Sequence, residues 1–420
     1  MATELNAVRR TLQLGEDVLS DTEPRWEASC HTLPDRGPNF LKAQHILELS
    51  HYCRLPQSVK NPLVATATYI AASPHLCPLI WHLHRELCDQ ADSPTGGWPD
   101  IEPLGDNRGL FYLLLALAMV PPIREVHTRM SIDATITRDT CRQIKCFLDN
   151  HRTGCEGRPG IFVTELAWLR HYLAGHLFRL GRLEYMLQPP PSGERIFRHR
   201  RHGTVVMLLP PETPLDHEGY VLPPESDEAL ASTTYEENDH EHVGFPADPS
   251  GVAERTPISL NRQDWELACR PNDPVIDMHI PSGGGLTPEA TIDSFHRAFK
   301  FFSAQVPARP PRIIRCVSWI FNPQLVTDLP GSNFARVLPE LYLFPVASPP
   351  DSGLNFVFRR NYDDWSMAPR STRLQRLMLS WRLRGRGLRH GGMLFLDREL
   401  AAWGTQPYRH RHGPHAAKMP

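Results

Sequence analysis

Three consecutive glycines, Gly283 to Gly285, separate an apolar segment from a segment with helical spacing. Glycine lets the backbone take positive φ and approach a ligand closely. Thr287 is a favourable N-cap, and Pro288 suits the first helical turn. The unpaired N–H groups and the dipole at a helix start favour phosphate. We therefore predict a pyrophosphate-binding loop, with a plain strand-to-helix turn as the alternative; its residues are Ser282, Gly283, Gly284, Gly285, Leu286 and Thr287.

Asp277 and His279 lie two residues apart in the apolar segment before this loop. In a strand, such residues point to the same face. Histidine ionises near neutral pH, so His279 is a candidate general base for an amine, and Asp277 could orient it or bind the amine. Ser318, in the following predicted strand, could protonate a leaving thiolate or bond a carbonyl. Turn capping and packing are the alternatives, and Cys316 is more typical of a core residue than of a nucleophile.

Metal and nucleic-acid sites have weaker support. The tail histidines, His410, His412 and His415, have no carboxylate or cysteine near them in sequence, so no metal cofactor is predicted. The run from Arg195 to His202 holds four arginines, but in a strand they fall on both faces, and a solvated strand edge is favoured over a nucleic-acid patch. A net charge of -2 excludes a globally basic nucleic-acid binder.

The elements around these residues divide the chain into a helical half and a mixed half. Residues 1–187 show apolar recurrence every three or four positions, which predicts an all-helical domain. Its last predicted helix, Thr164 to Leu187, carries a leucine stripe and stops before Pro189. The proline run after it predicts a domain boundary.

From residue 188 to about 400 the pattern predicts a mixed α/β domain, so that the fold class is α+β. Residues 222–250 are acidic and poor in large apolar groups, which predicts a long loop, and residues 401–420 are predicted to be a disordered tail. Helices are expected at Thr291–Phe302, Val326–Leu341 and Ser371–Leu383. Strands are expected within Arg195–Leu209 and at Val275–Ile280, Arg312–Phe321, Leu343–Val346, Leu354–Arg359 and Gly392–Leu396.

This order of elements resembles the second half of the GNAT N-acyltransferase fold, in which the loop after the fourth strand holds the pyrophosphate of acyl-CoA. Between residues 40 and 400 the amino-acid sequence resembles that of one family, the acyltransferases that join a helical N-acyltransferase N-terminal domain to a GNAT-like C-terminal domain. The stretches are FRLGRLEYML (178–187), DMHIPSGGGLTPEATIDSFHRAFKFF (277–302), CVSWIFNPQLVTDLPGSNFARVL (316–338) and STRLQRLMLSWRLRGRGL (371–388). The resemblance implies acyl-CoA or acetyl-CoA as co-substrate and direct acyl transfer to the amine of a small-molecule acceptor.

The pyrophosphate loop departs from the ordinary GNAT pattern R/Q-x-x-G-x-G/A. The stretch PSGGGL does not match it, and the literal match, RLRGRG at Arg382–Gly387, follows a predicted helix, where Gly385 and Gly387 are typical of a helix end. Two hypotheses therefore stay open. The chain is an acyl-CoA-dependent N-acyltransferase, or its GNAT-like half is a non-catalytic CoA-binding or scaffold domain.

Composition bears on the location and the source of the protein. The nine cysteines are scattered without a C-x-x-C pair, which predicts reduced thiols and a cytoplasmic location. The longest apolar run, Leu110 to Val120, is shorter than the ~20 residues of a membrane span and is interpreted as core. Arginine far outnumbers lysine, and with abundant proline this suggests a GC-rich bacterial genome. The oligomeric state, acyl length and acceptor stay open.

Overall fold

The computed structural model describes residues 4–89, 95, 97–189, 194–270, 273–349 and 351–412. Contacts divide the chain into two compact units. The first holds the residues up to Leu180 together with Pro281–Gly283, and the second holds Gly181–Ile280 and the residues from Gly284 onward. Each unit has its own core. Helices dominate the first and strands the second, so the predicted α+β fold class is confirmed.

The first unit is built from helices α1 to α10 and one short strand, β1. The helices are Leu5–Thr11, Trp26–His31, Ala43–Tyr52, Gln57–Ala72, Leu76–Asp89, Arg108–Ala118, Val120–Arg129, Ala134–Cys141, Gln143–Gly154 and Val163–Leu173, and β1 is Leu177–Leu180.

Helix α6 (Arg108–Ala118) forms the centre of this unit. Its residues from Gly109 onward are all buried, and α3, α4, α5, α9 and α10 contact it. A helix that is apolar on every side needs such neighbours all around it. The helical run Glu102–Arg129 is long and apolar enough to cross a membrane, and the bent pair α4–α5 also passes that test. Most of the apolar part of the run is buried inside the unit, as predicted for Leu110–Val120.

The predicted helix Thr164–Leu187 is wrong beyond Leu173. Gly175 takes a φ of +67°, which favours glycine, and two bonds close the helix end, from Gly175 N–H to Tyr172 O (3.0 Å) and from His176 N–H to His171 O (2.9 Å). Residues 177–188 are extended, with a turn at Gly181, where φ is +78°. From Leu183 onward, Leu183, Tyr185 and Leu187 recur every two residues, as in a strand. The predicted boundary after Leu187 therefore falls inside a strand.

The second unit contains strands β2 to β16 and helices α11 to α16. The strands are Leu183–Gln188, Arg195–His199, Val205–Leu208, Pro214–Leu215, Ala231–Ser232, Tyr235–Glu237, Glu241–Gly244, Pro246–Asp248, Val252–Ala253, Ile258–Asn261, Trp265–Leu267, Val275–His279, Ile313–Ser318, Tyr342–Pro345 and Gly391–Leu396. The helices are Pro288–Gln305, Gln324–Asp328, Asn333–Val337, Leu354–Phe358, Arg373–Leu383 and Pro407–His410.

The main sheet of this unit has the order β2-β13-β14-β16-β15. Strands β13 and β14 are parallel, and the other neighbours are antiparallel. Helix α11 forms the crossover between the parallel strands and packs on one face of the sheet. The ring of Phe295 lies 4.9 Å from that of Phe395, and Ser294 bonds the hydroxyl of Tyr185 at 2.9 Å. The crossover follows the end of β13, where the predicted loop begins.

A second sheet has the order β10-β9-β4-β3-β12, and its β3–β4 hairpin confirms the predicted strand pair within Arg195–Leu209. Tyr342 of the main sheet joins the two sheets, since its hydroxyl accepts from Met207 N–H at 3.0 Å and donates to Ala247 O. The acidic stretch 222–250 is not one loop. It contains β6 to β9, and β7 and β8 continue into a three-stranded sheet with β11.

Two other expectations are corrected in this unit. Leu354–Arg359 is predicted as a strand but forms helix α14, which ends at Arg359 in the left-handed region. The predicted tail disorder is wrong for residues 401–412. Tyr408 is 2% exposed and its hydroxyl accepts from Leu396 N–H at 2.8 Å. Glu340 accepts from two backbone N–H groups of the same segment. Residues 413–420 lie outside the described residues.

Candidate functional site

Strand β13 carries the two predicted catalytic side chains to one face of the main sheet. Asp277 Oδ2 lies 3.1 Å from His279 Nε2, and each side chain is 27% exposed. The strand is held by β2 on one side and β14 on the other, so its backbone is fixed. The structure therefore brings Asp277 and His279 together as an acid–imidazole pair.

Glu184 is a neighbour of this pair that the sequence analysis did not find. The antiparallel register places it opposite His279 on β2, and only 1% of the residue is exposed. Directly opposed residues have Cβ atoms about 5 Å apart. The carboxylate was missed because residues 164–187 were predicted as one helix. The alternation of Leu183, Tyr185 and Leu187 around it was the signal for a strand.

Arg315 stands beside Asp277 in the parallel register with β14. Its guanidinium binds Glu194 in a two-pronged pair, with Nε–Oε2 at 2.9 Å and Nη2–Oε1 at 2.6 Å. Both side chains are largely buried, and a buried charge needs such a partner. The positive charge beside Asp277 is therefore already balanced by Glu194.

The structure does not bring Ser318 to the Asp277–His279 pair. Ser318 alternates with Val317 on β14, so the register that pairs Asp277 with Arg315 directs Ser318 to the other face of the sheet. Its hydroxyl accepts from Ile320 N–H at 3.4 Å and caps a short 3₁₀ turn. Its catalytic role stays a prediction. Cys316 is 5% exposed and burial raises the pKa of its thiol, which fits a core residue.

The glycine loop joins β13 to α11 in a conformation that favours glycine. Gly283 and Gly284 have φ values of +77° and +64°. Arg182 fixes the loop from β2, donating from Nη2 to Gly284 O at 2.9 Å and from Nε to Gly285 O at 3.4 Å. Thr287 is the N-cap of α11, as predicted, and accepts from Ala290 N–H at 3.2 Å.

This loop offers hydrogen-bond donors that an anion needs. Among the described residues, no acceptor lies within bonding distance of the backbone N–H groups of residues 284–287. The hydroxyl oxygen of Ser282 is buried and has no partner in that part of the chain either. Gly284 and Gly285 are exposed, so their N–H groups are open to an anion at the start of α11. The predicted loop residues are thus compatible with a pyrophosphate.

The second glycine motif, RLRGRG, ends a helix. Gly385 takes a φ of +67° after α15, and Arg386 N–H bonds Trp381 O at 3.0 Å. This is the helix-terminating bond pattern that glycine permits. The prediction that Gly385 belongs to a helix C-terminus is confirmed.

One group of metal-ligand side chains lies in the second unit. His412 Nε2 is 3.0 Å from Glu254 and 3.8 Å from Asp248, and the possible ligand atoms lie within 4.8 Å of one another. The prediction for the tail histidines rested only on carboxylates near them in sequence, and the absence of a metal stays a prediction. The two carboxylates come from residues more than 150 positions earlier, which sequence proximity does not reveal.

Comparison with known proteins agrees with this architecture. The model of the N-acyltransferase N-terminal domain matches residues 44–175, and the model of the GNAT-like C-terminal domain matches residues 177–394, just over half of the chain. The resemblance seen in the sequence is thereby confirmed. No curated protein matches the chain.

Solved acyltransferase structures share the fold. One is an acyltransferase mutant in complex with octanoyl-CoA, 20% identical with a TM-score of 0.62. Another is an acyltransferase in complex with decanoyl-CoA and teicoplanin, 21% identical with a TM-score of 0.62. Each match covers 94% of this chain and 99% of the other. With the two family models, this places the chain in the family that joins an N-acyltransferase N-terminal domain to a GNAT-like C-terminal domain.

Proposed function

We propose that the protein is an acyl-CoA-dependent N-acyltransferase that transfers an acyl group directly to the amine of a small-molecule acceptor. The observation that carries the proposal is the succession, within a GNAT-like domain, of the Asp277–His279 pair and a loop of unpaired donors. Acyl-CoA supplies an activated thioester. We also propose a cytoplasmic location, which the scattered cysteines suit.

The loop residues would hold the pyrophosphate of the co-substrate. The N–H groups of residues 284–287 supply donors, and Thr287 and α11 add the positive end of a helix. Arg182 keeps the carbonyls of Gly284 and Gly285 occupied, so the loop keeps its shape.

His279 would remove the proton that the amine loses as it is acylated. An amine attacks as the neutral base, so a nearby proton acceptor speeds the step. Asp277, 3.1 Å from His279 Nε2, would hold the imidazole and stabilise its protonated form. Ser318 lies on the other face of the sheet and is given no part in this step. These roles require no metal.

The relatives suggest the first co-substrates to try. One of the similar acyltransferases is in complex with octanoyl-CoA, and another with decanoyl-CoA and teicoplanin. We therefore propose that this chain also accepts a medium-chain acyl-CoA, and a glycopeptide belongs in the first panel of amine acceptors.

A thermal-shift titration with CoA, acetyl-CoA, octanoyl-CoA and decanoyl-CoA tests the proposal. A ligand at 100 times its Kd stabilises the folded state by about 2.7 kcal/mol, which shifts the Tm by several degrees. Thiol release with an amine panel then measures turnover. No shift with any of the four ligands would overturn the proposal.

The second candidate function is a non-catalytic CoA-binding domain. It is favoured by one observation, the absence of R/Q-x-x-G-x-G/A from the loop that precedes α11. A Tm shift of equal size with free CoA and with every acyl-CoA, and no thiol release with any amine, would support this candidate.

A further inference from the structure

A groove of about 380 Å³ opens at the end of the main sheet where β13 and β14 begin. Its wall includes Asp273 just before β13, Ile313 at the start of β14 and Leu396 at the end of β16. His279 lies at the opposite end of β13, four residues along the strand, which is about 13 Å. The groove is therefore separate from the Asp277–His279 pair and from the glycine loop.

The wall of the groove is rich in arginine. It contains five arginines and three carboxylates. Each carboxylate already has an arginine partner. Glu266 binds Arg200 at 2.7 Å, Asp273 lies 3.4 Å from Arg309, and Asp397 lies 3.0 Å from Arg312.

Three arginines remain without a balancing charge. Within the described parts of the chain, no carboxylate lies within 4.0 Å of the guanidinium of Arg198, Arg270 or Arg398. The Nε atom of Arg198 is buried and has no hydrogen-bond partner there. Three cations that share one concavity repel one another unless an anion joins them. With five arginines against three carboxylates, the wall keeps a net positive charge that suits an anion.

We propose that this groove binds a small polyphosphate. Arginine presents a planar fork that matches the oxygens of a phosphate, and three unbalanced arginines suit a ligand with two or more negative charges. No aromatic side chain lines the groove among the described residues, so a nucleobase has no stacking surface. The ligand is a phosphate chain or a sugar phosphate rather than a nucleic acid. The inference does not depend on acyl transfer.

Isothermal titration calorimetry of the full-length protein with pyrophosphate tests this site. Saturating CoA is present, so that the glycine loop is occupied if it binds CoA. We expect sub-millimolar binding to the wild type and at least about tenfold weaker binding to the double variant Arg270→Gln/Arg398→Gln, since both side chains are exposed and donate charge-assisted bonds to phosphate.

The matched control is Arg373→Gln/Arg384→Gln, which removes the same charge from exposed positions at α15. It should leave the pyrophosphate Kd within about twofold. Equal weakening by both double variants would show general charge attraction and overturn the site. No binding, or binding that neither variant changes, would overturn it as well. If CoA does not bind, the variants can still be compared for pyrophosphate binding. The proposed acyltransferase function and the proposed polyphosphate site can therefore fail independently.

Discussion

Histidines in the two units have different kinds of partner. In the helical unit, histidines lie inside as neutral rings with one hydrogen bond each, such as His82 to Ser29 at 2.9 Å and His127 to Thr137 at 3.1 Å, and burial lowers the pKa of both. In the sheet unit, the partly exposed His279 lies 3.1 Å from a carboxylate, that of Asp277. A histidine in the sequence therefore says little about function by itself, and the group that contacts it indicates its role better.

The largest effect is expected from the sheet unit. His279→Ala should lower kcat about 10²- to 10⁴-fold, because a positioned general base contributes that much to a proton transfer. Asp277→Asn should lower it less, since the imidazole remains. The measurement is thiol release with the acyl-CoA and amine identified by screening.

His296→Ala is the matched control for that comparison, because His296 is exposed on α11. It should keep kcat within about twofold of the wild type, and the Tm should stay the same in both variants. If His279→Ala kept most of its turnover, the Asp277–His279 pair would be structural, and the contrast between the units would be lost.

The buried histidines of the helical unit should affect the free energy of unfolding rather than the rate of turnover. Burial lowers the pKa of His82 to about 4, from 6.5. The folded state keeps His82 neutral, whereas the unfolded state takes up a proton below pH 6.5. The free energy of unfolding is therefore unaffected by protonation of His82 above pH 6.5 and falls as the pH drops toward 4. About 2 to 3 kcal/mol of the free energy of unfolding should be lost by pH 4.5.

Denaturant unfolding at several pH values measures this loss. His82→Leu should reduce the pH dependence of the free energy of unfolding between pH 6.5 and 4.5, whatever its effect at pH 7; other buried histidines, such as His127, keep part of the slope. His51→Leu, at an exposed position, is the control and should leave the slope unchanged. An unchanged slope in His82→Leu would contradict a neutral buried His82.

The glycine loop gives a smaller effect. Gly284→Ala forces a Cβ into a backbone with φ +64°, which costs about 1 kcal/mol or more and shifts the donors of residues 284–287. The KM for acyl-CoA should rise about tenfold with little change in Tm. Gly387→Ala, in the RLRGRG motif, adds a Cβ that meets no other atom and should leave the KM unchanged. The reverse result would place the cofactor at RLRGRG.

The smallest effect concerns the start of α15. Thr372 accepts from Gln375 N–H at 3.0 Å, and the Gln375 side chain accepts from Thr372 N–H at 3.1 Å, so the two form a capping box. Thr372→Ala should lower the free energy of unfolding by about 1 kcal/mol and leave the KM for acyl-CoA unchanged. A raised KM would connect this helix to the binding site.

The sequence by itself determined the elements whose signals are local. The strand before the glycine loop, the N-cap at Thr287 and the helix after it were predicted within a few residues, because φ preferences and capping depend on neighbouring residues. Helix α14 shows where this fails. Five apolar-rich residues fit a strand or a helix equally, and the packing of Leu354 and Phe358 in a small core decided the outcome.

Only the tertiary structure decided which side chains meet. Glu184 faces His279 through strand register, and Arg315 meets Glu194 across 121 positions of sequence. The groove of arginines likewise joins residues between Arg198 and Arg398. Register and long-range ion pairs depend on how whole strands align, which is settled by the burial of the apolar faces of the sheet and not by any local pattern.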